Sequence, residues 1–217
     1  MQHPNISAQE SQIALALAPA LKSAGFDWLP RLHQFRRSHE EGFSCLILSL
    51  SEYETDSLIE AHLGLRIDHV ENLAFPFTNG LPGFQPDSMS LVTPMARLFG
   101  KRFERLTVTD EASIGEAVQH FREQLAEKGL PFLQQYSRLQ SLDELINDNP
   151  QATVPLLHNQ INRCFRAIVT AKLLQRPDFL QLTAHYRQFL EEELYAPAQT
   201  LEKYERLRHF LEQYSMN

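Results

Sequence analysis

The sequence predicts an α+β protein: an antiparallel sheet of four to five strands packed against helices, followed by a C-terminal helical region. Strand-like segments cluster between residues 32 and 110 and helical segments follow them, an order typical of this class. Alternating apolar residues indicate the strands, and apolar residues three or four apart indicate the helices. We expect an α+β domain over residues 1–150 and a helical region over residues 151–217 that packs on it.

A first helix is predicted over residues 7–26, ahead of the strands. Ser7 and Glu10 have the spacing of a capping box at its beginning, and Gly25 suits its end. Pro19 lies within the pattern and is expected to kink or divide the helix, because proline has no N–H to donate.

Two long strands are predicted at residues 43–53 and 57–67. The first is apolar on both faces in its middle, as expected of a central strand covered on both sides. The second alternates, with Glu60 and His62 on its polar face. Because the linker between them is short, we expect an antiparallel hairpin. Three shorter strands are predicted at residues 32–37, 88–92 and 103–110, with an irregular loop over residues 68–87.

Helical patterns dominate the chain after residue 110. Capping signals place the beginnings of these helices at Ser113, Ser141, Thr153, Asp178 and Thr200. Within "EKGLPFLQQYSRLQSLDELI", residues 127–146, Gly129 is expected to end one helix and Pro131 to begin the next. The Leu, Phe and Tyr residues of this stretch are then expected to fill the core.

The net charge of −7 is unevenly distributed along the chain. Residues 1–150 contain 12 Lys and Arg against 20 Asp and Glu, whereas residues 151–217 contain 8 against 7. This balance disfavours a nucleic-acid partner, which requires a basic surface. It favours a protein partner with a basic surface, because complementary charges attract.

Other features of the sequence concern its location and its chemistry. No segment has the length of a membrane span and the N-terminus lacks the pattern of a signal peptide, so we expect a cytoplasmic protein without membrane association. The sequence leaves the oligomeric state open. Cys45 and Cys164 lie in apolar runs and are predicted to be reduced core residues. No common nucleotide-binding or hydrolase motif occurs, so no cofactor is predicted and a non-enzymatic function is favoured over catalysis.

Glu60, His62 and Arg36 are candidates for a ligand or partner contact on the sheet. If the strands pair suitably, these polar side chains form a dispersed site, which is the basis of an alternative hypothesis of enzymatic activity. His33 and His39 lie nearby and add nitrogen ligands. No ligand spacing supports a metal, however, so the sequence favours an ordinary polar sheet face and no metal site is predicted.

Lys101 and Arg102 are two further candidates for partner contact. Phe99 and Phe103 bracket them, a combination of cations and aromatic rings that is also typical of single-stranded nucleic-acid binding. The simpler interpretation is a turn with two solvated cations anchored by the two rings. The acidic charge balance of this part of the chain favours the turn.

Parts of the sequence resemble a bacterial family known only as a domain of unknown function. The resemblance covers residues 13–149 and rests on "LKSAGFDWLPRLHQFRR", the strand "FSCLILSLSEY" and the later helix followed by L-P-F. It implies a small α+β fold, no established activity and no catalytic residues. Some similar proteins are discussed as immunity or accessory proteins beside bacterial toxins, so a toxin-neutralising role is one expectation. The loop at residues 79–86 and the helices over residues 153–217 depart from the family pattern.

Overall fold

The architecture is that of a computed structural model, which describes residues 8–54 and 56–215. The chain divides into two compact units, one formed by residues 1–65 and 92–135 and the other by residues 66–91 and 136–217. The first unit contains most of the sheet, and the second is mainly helical. The domain boundary predicted after residue 150 stays a prediction.

The sheet is antiparallel, as predicted, and it is open, with six strands where four to five were expected. Its strands are β1 (Asp27–Leu29), β2 (Gln34–His39), β3 (Gly42–Glu52), β4 (Ser57–Ile67), β5 (Leu91–Pro94) and β6 (Leu106–Val108). The order is β1-β2-β3-β4-β5, and β6 pairs with β4 as well. The three-residue strand β1 was not predicted. The strands predicted at residues 88–92 and 103–110 are present as β5 and β6, with shifted or shorter bounds.

The two long strands have the burial that their sequences predict. Residues 43–46 of β3 are buried in succession, which confirms a strand covered on both faces in its middle. Every second residue of β4 from Ile59 to Ile67 is buried, so its apolar face lies in the core. The hairpin therefore supplies a rigid base for the polar residues of its other face.

Helices complete the first unit. They are α1 (Ala8–Ser23), α3 (Glu111–Gln124) and α4 (Leu130–Gln135). Helix α1 packs on α3, and the Arg122 guanidinium donates a hydrogen bond to the Ala16 carbonyl at 2.5 Å. Pro19 does not divide α1, which continues through it. Gly25 ends the helix in the left-handed conformation with φ of 84°, as predicted. Ser7, the predicted cap, lies outside the described residues.

Gly129 does not end a helix and Pro131 does not begin one, contrary to the prediction. A π-helical turn over Leu125–Gly129 joins α3 directly to α4, and the Leu130 N–H donates to the Leu125 carbonyl. Proline cannot donate the usual N–H bond and its ring crowds the carbonyl four residues earlier, so a wider turn before Pro131 accommodates it. A Cβ at Gly129 would lie 3.1 Å from Leu125 Cδ2, so a larger residue there would make the Leu125 side chain shift.

The second unit is built around one central helix. Its helices are α2 (Asp68–Ala74), α5 (Leu139–Asn147), α6 (Gln160–Leu173), α7 (Phe179–Glu192) and α8 (Ala198–Gln213). Helix α6 packs against each of the other four, and its residues 163–171 are all buried. This confirms the predicted C-terminal helical region. Helix α2 was missed, because its seven residues are too short to show a periodic pattern.

Three predicted N-caps instead occupy the third position of their helices. Ser113, Ser141 and Thr200 follow the true caps Asp110, Arg138 and Pro197 by three residues. At the first of these, Asp110 and Ser113 form a capping box of side-chain and backbone hydrogen bonds. The correct motif is therefore D-x-x-S, which begins three residues before the predicted one. Asp178 does occupy the cap position of α7, but its side chain makes no capping hydrogen bond.

Thr153 does not begin α6, which starts seven residues later. The cap is Asn159, whose Oδ1 accepts a hydrogen bond from the Asn162 N–H at 2.8 Å. In the preceding segment, side chains rather than helical bonds satisfy the backbone. Gln160 bonds the N–H and carbonyl of Val154, and Arg163 donates to the carbonyl of Ala152. Among the described residues, no helix is both long and apolar enough to cross a membrane.

Candidate functional site

The pairing of β3 and β4 determines which residues share the polar face of the hairpin. The Tyr53 N–H donates to the Asp56 carbonyl at 2.8 Å, so counting back along the antiparallel strands places Cys45 opposite Gly64. A hydrogen bond between the Cys45 thiol and the Gly64 backbone agrees with this register. Arg36 of β2 also lies opposite Cys45. Because residues opposite one another share a face, Arg36 lies on the same face as the even-numbered residues of β4.

Glu60 and His62 of β4 are brought together on this face, as predicted. His62 Nε2 lies 3.2 Å from one Glu60 carboxylate oxygen, and Arg105 Nε donates a hydrogen bond to the other. This bond to Glu60 raises the pKa of Arg105. Arg36 is elsewhere on the face, with its guanidinium 3.7 Å from the centre of the Phe43 ring. Two strand spacings, about 10 Å, separate its backbone from β4.

Lys101 and Arg102 are adjacent in sequence but have different surroundings. The Lys101 ammonium donates to Glu104, whereas Arg102 is exposed and forms no ion pair within the described part of the chain. Phe103 is 63% exposed, and Phe99 lies under the Lys128 ammonium, 4.6 Å from its ring centre. The two rings therefore do not form a joint stacking surface with both cations.

Glu104 holds this segment against α3. Its carboxylate accepts hydrogen bonds from Lys101, from His120 Nε2 at 2.8 Å and from the Gln124 amide at 2.7 Å. Partial burial alone would raise the pKa of Glu104, but these bonds outweigh it and lower the pKa to about 2. An ionised Glu104 thus neutralises Lys101, one of the two cations that the sequence offered as partner contacts, but not Arg102.

The two cysteines are core residues, as predicted. Both are fully buried and reduced, and burial raises the pKa of each thiol to about 12. A thiol that remains protonated in an apolar core is a poor nucleophile. His33 Nδ1 lies 2.6 Å from the Glu10 carboxylate, so this histidine is engaged by α1. Among the described residues, no cluster of three or more His, Cys, Asp and Glu could hold a metal ion.

An acidic surface at the end of the hairpin was missed by the sequence analysis. Its carboxylates belong to Glu52, Glu54, Asp56, Asp110 and Glu111. Strand β6 brings them together, because Val108 lies opposite Ser57 and this pairing places the cap of α3 beside the hairpin turn. We call these five residues the acidic end. None of them forms an ion pair with a Lys or Arg of the described chain.

Tyr53 lies in the same segment as Glu52, Glu54 and Asp56 and is 58% exposed. The pKa of Asp110 is lowered, with the hydrogen bond from the Ser113 backbone N–H as the largest cause, so the ionised carboxylate is favoured. The sequence signals for the acidic end were the acidic residues of "SEYETD" and "TDE", two segments that are separated by about fifty residues. Only the pairing of β4 with β6 shows that they adjoin.

The chain was compared with protein-family models, with curated proteins and with solved structures. None of the three comparisons gave a match. The resemblance to a domain family of unknown function therefore stays an expectation, as do the roles that it implies.

Proposed function

We propose that this chain is a non-enzymatic protein-binding module that recognises a partner with a basic surface through the acidic end. The observation that supports the proposal is an exposed tyrosine, Tyr53, in a segment whose neighbouring carboxylates form no ion pair with a Lys or Arg of the described chain. Arg105 lies near Tyr53, but it is bound by Glu60 and so does not cancel this charge.

The chemistry of the acidic end suits protein recognition in two ways. Unneutralised carboxylates attract a cationic partner and accelerate its association, an effect that salt weakens. A tyrosine adds a large apolar contact with few rotatable bonds, which is why tyrosines are frequent among the residues that dominate binding energy. Tyr53 directly follows β3, and its N–H donates to the Asp56 carbonyl, so its backbone is anchored at the end of the hairpin.

The class of partner follows from this charge and from the family resemblance. A basic protein toxin is the specific form of partner that we propose, with the chain acting as its neutralising or accessory protein. A toxin that contacts nucleic acid or an anionic surface must present cations. The acidic end would occupy those cations and compete with their target.

Crosslinking from the acidic end tests the proposal. A photoreactive phenylalanine analogue replaces Tyr53 in the full chain, which is expressed in its native host and irradiated. We expect one dominant crosslinked protein, with an excess of Lys and Arg on its surface. The same analogue at Glu127, an exposed position on the π-helical turn, serves as the control and should not crosslink this protein.

Charge-matched variants then test the electrostatic part. Replacing Glu52, Glu54 and Glu111 by Gln should weaken binding of the purified partner at least about tenfold at low salt. Replacing Glu116, Glu123 and Glu127 by Gln removes the same charge from exposed positions of α3 and the π-helical turn, and should change binding little. Equal losses in both variants, or no partner crosslinked from position 53, would refute the proposal.

An enzymatic alternative rests on the contact between His62 and Glu60, 3.2 Å apart on the sheet face. A carboxylate beside an imidazole is an arrangement that general acid–base chemistry uses. Here the carboxylate also binds Arg105, and Arg36 lies about two strands away. A dispersed catalytic site therefore stays a prediction, and we favour the binding module.

A further inference from the structure

The second unit contains an open cleft at the C-terminal end of α6. It has a volume of about 380 Å³, within the range of small-molecule sites. Its walls are formed by Ala171, Lys172, Gln175, Arg176, Phe179 and Tyr214. These residues come from the end of α6, the beginning of α7 and the residue that follows α8.

Three polar side chains on the cleft wall form neither an ion pair nor a hydrogen bond within the described residues. The Lys172 ammonium lies 5.5 Å from the centre of the Phe179 ring, its one aromatic contact. The others are the side-chain amide of Gln175, which is exposed, and the hydroxyl of Tyr214, which is half-buried. Unpaired donors that converge on one cleft beside aromatic rings are the pattern of a ligand site.

Two cations line the cleft, Lys172 and Arg176. The three guanidinium nitrogens of Arg176 donate to Asp178 at 2.7 and 2.9 Å and to Asp143 at 2.7 Å. These four charges balance, but both carboxylates are engaged by Arg176. Lys172 is thus the lining cation that contacts no carboxylate of the described residues, and one such ammonium suits one anionic group.

Backbone strain accompanies the cleft. Gln175 adopts the left-handed conformation with φ of 52°, where glycine is the usual residue. The Arg176 N–H donates to the Ala171 carbonyl at 2.9 Å, the bond of a Schellman helix end that glycine would satisfy with less strain. The helix end thus accounts for the conformation of Gln175 and leaves its side chain exposed at the cleft.

We propose that this cleft binds a small organic monoanion with a flat apolar body, such as an aromatic carboxylate. Lys172 and the Gln175 amide donate to the carboxylate. The Phe179 and Tyr214 rings contact the apolar body of the ligand. This site is separate from the acidic end and does not depend on the protein-binding function proposed for it.

Titration of the full chain with benzoate, followed by ¹H–¹⁵N NMR, tests this inference. We expect saturable shifts confined to the cleft residues, with a dissociation constant on the order of 1–10 mM for so small a probe. Benzamide has nearly the same shape but no charge, and should bind about tenfold more weakly. No saturable shift with benzoate, or equal binding of benzamide, would overturn the proposal.

Two variants separate a ligand contact from a structural role. Lys172→Met keeps the apolar stem and should weaken benzoate binding about tenfold, whereas the control Lys22→Met, in the other unit, should leave it unchanged. Gln175→Gly relieves the strain and should raise the melting temperature while weakening benzoate binding. The NMR spectrum itself reports whether each variant is folded. Unaltered benzoate affinity in folded Lys172→Met would show that the cation does not bind the anion.

Discussion

The buried ion pair between Glu71 and Arg166 gives the sharpest prediction for stability. It joins α2 to α6 within the second unit. Arg166 Nε and Nη2 donate to the two carboxylate oxygens at 2.7 and 2.9 Å. Glu71 is 0% exposed and Arg166 is 6% exposed, so water cannot replace either partner. A double-mutant cycle with Glu71→Met and Arg166→Met isolates the interaction.

The geometry of this ion pair sets the expected change in the free energy of unfolding. Each charge-assisted hydrogen bond contributes roughly 1.5–3 kcal/mol, and removal of one partner leaves the other charge buried without compensation. Either single replacement should therefore lower the free energy of unfolding by about 3–5 kcal/mol. The double replacement exchanges both charges for apolar side chains and should cost far less than the sum, so the coupling should be about 3 kcal/mol or more.

Urea denaturation followed by far-ultraviolet circular dichroism measures these changes. A matched control is the pair Arg208–Glu212 on α8, where the 3.2 Å contact joins side chains that are each about one-third exposed. The same cycle there should give a coupling of about 0.5 kcal/mol or less. Additive losses at Glu71 and Arg166, or single losses below about 1 kcal/mol, would refute the reasoning.

Three further predictions concern individual residues. Cys45 and Cys164 should react with a thiol reagent only when urea unfolds the chain, and rapid native labelling would contradict their burial. Since the folded-state pKa of Glu104 is about 2 against 4.5 ordinarily, its stabilisation should be present above pH 4.5 and disappear towards pH 2. Glu104→Gln should therefore lose stability at pH 7 and decline less with acid, as denaturation at pH 7 and pH 3 can show. Gly115→Ala in α3, where an added Cβ meets nothing within 4 Å, should raise the unfolding free energy by about 0.5–1 kcal/mol, and a decrease would contradict the open space.

Periodicity predicted those elements whose residues interact locally or with an extended apolar core. The alternation along β4 and the apolar run in β3 identified both long strands, because one buried face per strand fixes the pattern. The same reasoning failed at an expected helix end. Gly129 had the sequence of a helix end, but its backbone is helical and an added Cβ there would make the Leu125 side chain shift.

Helix beginnings were misplaced for a related reason. Ser113 fits either the cap or the third position of a helix, because its hydroxyl can bond a backbone N–H from both. The choice depends on Asp110, whose carboxylate accepts from the Ser113 N–H at 2.9 Å. Two competing capping motifs overlap in the sequence, and only their relative hydrogen-bond energies decide between them.

Candidate sites were harder to predict than elements because their members are distant in sequence. Glu60 and His62 could be paired from strand alternation alone, whereas the Arg105 that binds Glu60 is 45 residues away. The cleft depends on Lys172 and Tyr214, which come together only through the packing of α6 and α8.

Charges that form ion pairs within the chain differ in function from charges that do not. Lys101 was a candidate contact in the sequence, and Arg176 lines the cleft. Both cations are already bound by carboxylates of the chain. Charges that form no ion pair in the described chain, at the acidic end and at Lys172, remain able to attract an oppositely charged group of another molecule. Clustered carboxylates repel one another, and an unpaired ammonium forgoes the energy of an ion pair. Binding of a basic partner at the acidic end, or of an anion at Lys172, would offset these costs.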